Sequence, residues 1–401
     1  MLLSEGFALS DYPWLVRLNP AAPWKTRGNG AVALLIEVES RREAVKAARI
    51  SVQAAKAYVE GSGSGARKAS LQAIYVEDAW DPESFATSRP ACLERLYRRG
   101  IHELVSLRQA EECLKDVARE GNLVATLGPH NRGVIGSLAA LGYTPEGDYT
   151  FELLTYRAPE NWLSERKVDA NSVLEYDVRW RPDTFMNYDY ELDKPLIAPH
   201  GYDPVLYGVR GERPDVVRRA LESIDTGGEE PTHWLIFRSN QATGHHLRPK
   251  TVAKTRPYDN PLLLVELVSR PKTLQGGHVL AKATDHTGVI HLAAYRETGV
   301  LRDLLLSLRP GAVLAAGGQA KMRNGVLTLN LEVLDADTAE ANGWKRRLCG
   351  FWHPPLARLH HLSLPYQRCR LAAKDKTWGT GRLLLPDPAE AQDLLKRFTR
   401  R

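Results

Sequence analysis

The sequence is poor in cysteine and contains no long apolar run. Its four cysteines, Cys92, Cys113, Cys349 and Cys369, are scattered along 401 residues. Such a distribution offers no disulfide framework and is typical of a protein from a reducing cytoplasm. No stretch reaches the ~18 consecutive apolar residues of a membrane helix, and the first residues lack the charged, apolar and small-residue zones of a signal peptide. We therefore predict a cytoplasmic protein without a membrane partner.

The composition is otherwise that of a globular protein with an excess of basic residues. Hydrophobic residues make up 43% of the chain and charged residues 25%, and the formal net charge is +6. The length is sufficient for about two to four domains. Basic residues clearly outnumber acidic ones between Lys345 and Arg401. This excess favours a polyanionic partner such as nucleic acid, although a solvated surface would explain it equally well.

Alternating strand and helix patterns run through the first 160 residues. Residues 31–39 have the apolar pattern of a strand, and residues 40–60 and 102–120 have helical spacing and propensity. This alternation predicts an α/β domain. Between residues 161 and 256 a strand, an amphipathic helix and a second strand follow one another, which predicts a smaller α+β domain.

The pattern changes again from Leu262 to Leu334. Five short strands occur at regular spacing, and a helical segment at 298–308 lies between the third and the fourth. This order is that of an OB-fold barrel, which usually binds single-stranded nucleic acid or oligosaccharide. The tail after it is basic and irregular.

The segment "PWKTRGNG", residues 23–30, has the composition of an anion-binding loop. Lys25 and Arg27 supply positive charge, and the two glycines around Asn29 allow a tight bend. A turn between two strands would explain the same residues. The sequence leaves both interpretations open.

A second candidate anion site is the segment "PHNRGVIGSLAALG". Gly133 and Gly136 open a helix, and His130, Asn131 and Arg132 come directly before it. The N–H groups and partial positive charge of a helix N-terminus suit phosphate, and an arginine can add a bidentate contact. The alternative is a glycine-assisted helix start that packs on a sheet.

The segment "HGYDPVLYGVRGE" combines acidic groups with glycines. Asp203, Arg210 and Glu212 surround Gly208 and Gly211. The glycines allow the backbone to approach a ligand closely, and the carboxylates could hold a cation, either a metal ion or a guanidinium. A turn with a local arginine–glutamate pair is the alternative.

A polar cluster follows the strand that ends in "HWLIFRS". It contains Asn240, Gln241, Thr243, His245 and His246. These groups could hydrogen-bond a nucleotide or a small polar substrate, or they could form a satisfied loop network. Two consecutive histidines point in different directions, so we expect no joint metal site here.

The tail does not contain a complete zinc site. A zinc ribbon needs two Cys-x-x-Cys knuckles, whereas here only Cys349 and Cys369 stand where such knuckles could be. His353, His360 and His361 could replace the absent ligands, but their spacing does not favour it. We predict no bound zinc and assign no metal-ligating residue.

Taken together, these segments resemble one family, the archaeal isoleucine-tRNA 2-agmatinylcytidine synthetases. The resemblance runs from about residue 7 to residue 335. The segments that carry it, in order, are "YPWLVRLNPAAPWKTRGNGAV", "NRGVIGSLAALG", "YTFELLTYR", "DPVLYGVRGE", "FRSNQATGHHL", "GGHV" and "LTLNLEVL".

The resemblance implies an α+β multidomain protein with four parts. These are a kinase-like α/β domain over 1–160, a ferredoxin-like domain over 161–256, an OB-fold over 257–337 and a degenerate zinc-ribbon tail over 338–401. It also implies an ATP-dependent ligase that uses ATP and Mg²⁺ to attach agmatine to carbon 2 of the wobble cytidine in the anticodon of isoleucine tRNA.

Candidate roles follow from the positions of the matching motifs. The resemblance implies that catalysis involves Lys25, Arg27 and Asp203. The implied ATP- and phosphate-binding residues are Lys25, Arg27, Gly28, Asn29, Gly30, Arg132 and Gly133. The implied substrate-binding residues are Gly208, Arg210, Gly211, Glu212, Asn240 and His246.

The sequence departs from the family pattern in three places. The family opens with a strand, an Asp-Asp-Thr-Asp loop and a Cys-Thr-Thr helix start, whereas Met1 here corresponds to the helix that follows. The ribbon retains two of four ligands, and Met186 stands where we expect an aspartate. Three hypotheses therefore remain: an active ATP-dependent enzyme with a truncated gene model, an RNA- or nucleotide-binding paralogue without agmatine transfer, and an enzyme with an altered substrate.

Overall fold

The computed structural model describes residues 1–25, 28–61, 72–128, 131–190, 193–201 and 204–336. Arg27, His130 and Asp203, the proposed zinc-ribbon tail and its two cysteines therefore lie outside the described residues. The chain divides into two compact units. The first comprises Met1–Leu18, Trp24–Asn187 and Pro195–Gln241, and the second comprises Asn19–Pro23, Tyr188–Lys194 and the chain from Ala242 onward.

Strands and helices are interspersed along the chain up to the barrel of the second unit. The strands are β1 (Trp14–Arg17), β2 (Gly30–Ala33), β3 (Ala73–Val76), β4 (Leu123–Leu127), β5 (Thr150–Tyr156), β6 (Tyr188–Asp189), β7 (Lys194–Pro195), β8 (Val205–Gly211), β9 (His233–Ser239), β10 (Arg248–Pro249), β11 (Pro261–Leu267), β12 (Lys272–Thr273), β13 (Val279–Thr284), β14 (Val289–Ala294), β15 (Val313–Arg323) and β16 (Val326–Ala336). The helices are α1 (Arg41–Gly61), α2 (Ala91–His102), α3 (Leu107–Arg119), α4 (Gly133–Leu141), α5 (Ala170–Trp180), α6 (Pro214–Arg218), α7 (Ala220–Ser223) and α8 (Val300–Ser307).

A five-stranded sheet in the order β2-β1-β9-β5-β8 organises the first unit. Strand β1 pairs antiparallel with β2 and parallel with β9, and β5 lies antiparallel between β9 and β8. The sheet therefore combines strands from both sides of residue 160. The domain bounds given above stay a prediction.

Helices α2 and α4 cover one face of this sheet. Trp14 and Val16 of β1 are buried there in a core with Tyr97, Ala139 and Tyr143. Side chains alternate between the two faces of a strand, so Arg17, which follows Val16, points to the opposite face.

The helix predicted over residues 102–120 begins later, at Leu107, and is α3. Helix α2, which the sequence pattern had not predicted, precedes it. Ser106 is the reason for the later start, because its side chain accepts from the backbone N–H of Gln109 and the Gln109 side chain accepts from the backbone N–H of Ser106. This reciprocal capping box fixes the first turn of α3 at Leu107.

The strand predicted over residues 31–39 is regular only as far as Ala33.

Cys92 of α2 and Cys113 of α3 form a disulfide. The expectation of a chain without a disulfide framework is therefore wrong for this pair. Helices α2 and α3 pack in one core, which brings the two Cα atoms to 5.5 Å although 21 residues separate them. Spacing along the chain did not reveal this proximity, because helix packing created it.

The second unit contains a closed five-stranded barrel. Its strands follow the order β11-β15-β16-β14-β13, and pairing of β11 with β13 closes the circle. Helix α8 lies between β14 and β15, as the sequence predicted. The interior is apolar, with Val265, Leu292 and Leu314 fully buried. The coarse prediction of a mixed α/β protein with a five-stranded barrel is therefore confirmed.

Gly318 marks the bulge at which β15 changes its register with β16. Its φ is +153°, and a Cβ atom there would lie 2.0 Å from the Asn330 carbonyl oxygen. Only glycine fits this close approach.

None of the helices in the described ranges combines the length and the apolar character needed to cross a membrane.

Candidate functional site

Arg17, at the end of β1, is the residue on which several of the predicted segments converge. Its backbone N–H donates to Asn240 Oδ1 over 2.7 Å, and Asn240 Nδ2 donates back to the Arg17 carbonyl over 2.9 Å. Asn240 also donates to the Tyr97 hydroxyl over 3.2 Å. The Asn240 side chain therefore extends the pairing of β1 with the end of β9. This role fits the satisfied-network interpretation, and it fixes the backbone from which the Arg17 side chain projects.

A buried glutamate links Arg17 to Arg210. Glu152 lies in the middle of β5 and is 2% exposed. Its Oε2 accepts from Arg17 Nη2 over 3.0 Å, and its Oε1 lies 3.5 Å from Arg210 Nε. The pairing register of β5 and β8 places Glu152 directly opposite Arg210. The partner of Arg210 is therefore a residue from a neighbouring strand.

The charges of this cluster do not cancel. Burial alone would raise the pKa of Glu152, but the Arg17 and Arg210 guanidinium groups, together with the hydrogen bond from Arg17, hold it below its usual value. The carboxyl is therefore ionised at neutral pH, and two guanidinium groups with one carboxylate leave a single positive charge. The arginine side chains remain 28% and 22% exposed, so a ligand can reach them.

The segment 23–30, here called the opening loop, brings Gly28 against Arg17. Gly28 has a φ of +82°, and a Cβ atom on it would lie 2.9 Å from Arg17 Nη1. The Leu18 N–H donates to the Asn29 carbonyl over 2.8 Å, and Gly30 pairs with Arg17 in the strand register. The loop thus connects the adjacent antiparallel strands β1 and β2, which agrees with the interpretation of a turn between two strands. Its glycines also lie close to the Arg17 side chain. Lys25 is exposed.

The two candidate anion sites meet through Trp24 and Arg132. The Arg132 guanidinium carbon stacks 4.0 Å from the centre of the Trp24 ring. Arg132 is the N-cap of α4, and the Gly133 N–H donates to Asn131 Oδ1 over 2.8 Å. The side chain of Asn131 therefore satisfies the first N–H of this helix. Val134 is fully buried, which agrees with a helix start that packs on a sheet.

The glycines of β8 serve packing. A Cβ atom on Gly208 would lie 2.7 Å from Leu154 Cδ2, and one on Gly211 would lie 2.6 Å from the Asp183 carbonyl oxygen. The Glu212 N–H donates to that same Asp183 carbonyl over 2.8 Å. These contacts place β8 against its neighbours and hold Arg210 at its position.

His246 belongs to the second unit. Its Nε2 lies 2.8 Å from Glu332 Oε2, and Gln319 Nε2 donates to Glu332 Oε1 over 2.8 Å. Burial acts to raise the pKa of Glu332, and the hydrogen bond and charge of His246 together with Gln319 outweigh it and lower that pKa. His246 is thus attached to barrel strand β16 through Glu332, which also accepts from Gln319 of β15.

The described residues show no metal site that is built from protein side chains alone. In the ranges with assigned structure, no group of three or more histidine, cysteine, aspartate or glutamate side chains lies close enough to hold a metal ion. We therefore derive no step that runs through Mg²⁺.

The motifs in the sequence did not single out Arg17, Glu152 and Trp24. A signal was present for the first two, since "WLVR" and "TFELLTY" place a charged residue within short apolar strands. Long charged side chains are seldom fully buried without a partner. A glutamate inside such a strand therefore indicates a nearby cation.

Comparison with known proteins identifies the family. Two family models match this chain, the TiaS TCKD domain over residues 3–125 and the TiaS FLD domain over residues 131–246. The isoleucine-tRNA 2-agmatinylcytidine synthetase TiaS of Hyperthermus butylicus is 46% identical over 374 residues, which cover 91% of this chain and 85% of that protein. The chain belongs to the TiaS family.

Solved structures of TiaS share this fold. The complex of TiaS with its isoleucine tRNA and ATP has a TM-score of 0.66 and 29% identity, and covers 82% of this chain and 73% of that one. The complex of TiaS with the same tRNA, AMPCPP and agmatine has a TM-score of 0.64 and 27% identity, with 82% and 75% coverage. Arg17 and Gly28 fall within the TiaS TCKD match, while Glu152, Arg210 and Asn240 fall within the TiaS FLD match. The cluster thus combines side chains from both TiaS domains.

Proposed function

We propose that the protein is an ATP-dependent tRNA-modifying enzyme that attaches agmatine to carbon 2 of the wobble cytidine of isoleucine tRNA. The observation that carries this proposal is the 46% identity to TiaS over 91% of the chain. The similar solved structures of TiaS with isoleucine tRNA, ATP and agmatine support the same substrates. We also propose that the protein is an ATP-dependent ligase of the cytoplasm.

The chemistry requires two steps. Transfer of a phosphoryl group from ATP to oxygen 2 of the cytosine makes that oxygen a leaving group. The primary amine of agmatine then attacks carbon 2, the C–O bond breaks, and phosphate leaves with the oxygen while the amine loses a proton. Catalysis of this kind depends on positioning and on stabilising negative charge. A base in an anticodon must also leave its stack to be reached.

The first unit supplies cationic groups for this task. We assign triphosphate binding to Lys25, to the Gly28–Gly30 bend and to the Arg132–Gly133 helix start, because these groups lie around Arg17 and Trp24. Lys25, Arg27 and Asp203 keep their proposed catalytic roles from the family resemblance. Mg²⁺ is proposed only as the companion of ATP in solution.

Agmatine and tRNA need different surfaces. Agmatine is a dication, so we assign it to acidic and polar groups, namely Glu212 with Asp203, beside Gly208 and Gly211. We propose that the barrel is an OB-fold and that it holds the tRNA near its anticodon, with His246 beside strand β16. Under this proposal the kinase-like and ferredoxin-like domains are those that precede the barrel.

Mass spectrometry of nucleosides from isoleucine tRNA tests the function directly. The full chain is incubated with ATP, Mg²⁺, agmatine and unmodified tRNA, and each of ATP and agmatine is omitted in turn. We expect one cytidine per tRNA to gain the mass of agmatine less one water, only in the complete mixture. Binding of tRNA without this product would instead support the second hypothesis, a paralogue that no longer transfers agmatine.

A further inference from the structure

Two partly exposed arginines share one buried carboxylate in the first unit. Glu152 contacts Arg17 on one side and Arg210 on the other. A second bond steadies Arg210, whose Nη1 donates to the Met186 carbonyl over 3.1 Å. Each guanidinium has five N–H donors, so both retain donors after these contacts. The Glu152 carboxylate fixes the orientation of both guanidinium groups, but its single negative charge offsets only one of their two positive charges.

The chemistry of this pair selects an anion with several oxygen atoms. Planar guanidinium groups bind phosphate in a bidentate manner, and a carboxylate partner can orient them in advance. Agmatine carries two positive charges and would be repelled. The glycine bend at Gly28 lies against Arg17 Nη1, so the backbone of the opening loop borders the same position.

We propose that Arg17 and Arg210 bind a phosphoryl group of the nucleotide substrate and that Glu152 is the positioning residue for both. This inference rests on the proposed function, and it assigns the phosphate-binding role to residues that the motif positions had not indicated. A phosphate of the tRNA backbone has the same chemistry, so the experiment below measures both ligands.

The first test measures binding of inorganic tripolyphosphate to the full chain by calorimetry, with EDTA present. Arg17→Lys and Arg210→Lys keep the positive charge but lose the planar guanidinium group that can bind phosphate in a bidentate manner. We expect each to weaken binding about tenfold, the loss of one charge-assisted hydrogen bond, and to raise the KM for ATP similarly while the affinity for tRNA stays the same.

A double-mutant cycle tests the role of Glu152. If Glu152 orients the Arg17 guanidinium, Arg17→Lys should weaken tripolyphosphate binding less than about threefold in a Glu152→Gln background. The reason is that the guanidinium is already misplaced in that background. Asp11→Asn is the matched control, since Asp11 Oδ1 forms a buried pair with Arg238 Nε over 3.1 Å on the helix-covered face of the same sheet. In that background Arg17→Lys should retain its full effect. Equal effects in all three backgrounds would show that Glu152 does not position Arg17.

A second variant replaces none of the three charged residues of the cluster. Gly28→Ala places a methyl group against Arg17, and Gly121→Ala is its control, because Gly121 has a φ of +80° with nothing within 4 Å of the added Cβ. We expect Gly28→Ala to weaken tripolyphosphate binding by about threefold or more and Gly121→Ala to leave it unchanged.

The outcomes separate the two proposals. Wild-type binding of tripolyphosphate with unchanged affinity in the lysine variants would overturn the inference, as would a loss confined to tRNA affinity. Formation of the agmatine product by the wild type would leave the proposed function intact in that case. Conversely, weakened tripolyphosphate binding in the variants of a chain that makes no product would uphold the inference and reject the function.

Discussion

Individual arginine–carboxylate contacts differ in what they do for this protein. Arg157 is completely buried, and its Nε and Nη2 each donate to Glu229 over 2.6 Å while Nη1 donates to the Ser164 carbonyl over 2.7 Å. The Arg157 guanidinium is therefore surrounded by protein on all sides. Arg17 and Arg210 instead keep part of their surface open. Burial therefore distinguishes a structural pair from one that is available to a ligand.

Glu229→Gln should destabilise the first unit. The variant leaves the Arg157 charge buried without its counterion, and breaking a buried pair in this way costs about 3–5 kcal/mol. The hydrogen bond and charge of Arg157 lower the pKa of Glu229. The stabilisation is therefore present above the usual glutamate pKa of about 4.3 and is lost as pH falls through the lower pKa of the folded state.

Urea unfolding at pH 7 and at acidic pH checks this expectation. The difference in the free energy of unfolding between wild type and Glu229→Gln should shrink as the pH falls. Glu94→Gln is a control, because Glu94 pairs with Arg98 on the exposed surface of α2 and should change stability by less than about 1 kcal/mol. A difference that stayed constant with pH would contradict the assignment.

The double substitution Lys25→Ala with Arg27→Ala should abolish nucleotide binding. Both residues belong to the opening loop, and their replacement takes away two positive charges from the segment that follows Trp24. Lys115→Ala with Arg95→Ala removes the same charge from exposed positions of α3 and α2 and should leave ATP affinity unchanged. Equilibrium binding of ATP measures both variants, and wild-type affinity in the first would reject the placement of this loop.

At the scale of elements, the link between α2 and α3 is open to a direct test. Peptide mapping without a reductant should recover Cys92 and Cys113 in one cross-linked peptide. Loss of a link that closes a loop of this size typically costs about 2–4 kcal/mol, so Cys113→Ser should unfold at a lower urea concentration. Reductant should lower the stability of the wild type and leave the variant unaffected. Recovery of both cysteines as free thiols would refute the pairing.

The elements that depend on local pattern were predictable from sequence, and the contacts between distant segments were not. Regular strand spacing predicted the barrel, and helical spacing predicted α1 and α4. The Glu152 cluster joins residue 17 to residues 152 and 210, and only the strand order of the sheet brings these positions together. The same reason explains why scattered cysteines concealed a disulfide. A sequence shows which charges need partners, whereas the sheet topology decides which partners they obtain.

At the scale of the whole molecule, net charge bears on the proposed RNA partner. The chain carries a formal charge of +6, and the proposed tRNA substrate is a polyanion surrounded by condensed counterions. Binding that neutralises several phosphates releases those counterions, so the affinity depends on the salt concentration. An apolar or purely base-specific interface would not show this dependence.

We therefore expect the affinity for isoleucine tRNA to fall steeply with salt. A protein that makes about six phosphate contacts loses about 10³-fold in affinity between 50 and 200 mM salt. A filter-binding titration at four KCl concentrations gives the slope of log affinity against log salt, and sucrose at matched osmolality is the control for water activity. The slope should be clearly negative for tRNA and unaffected by sucrose. A change below about twofold over this range would argue against an RNA partner, because counterion release is unavoidable when basic side chains replace the ions around phosphate.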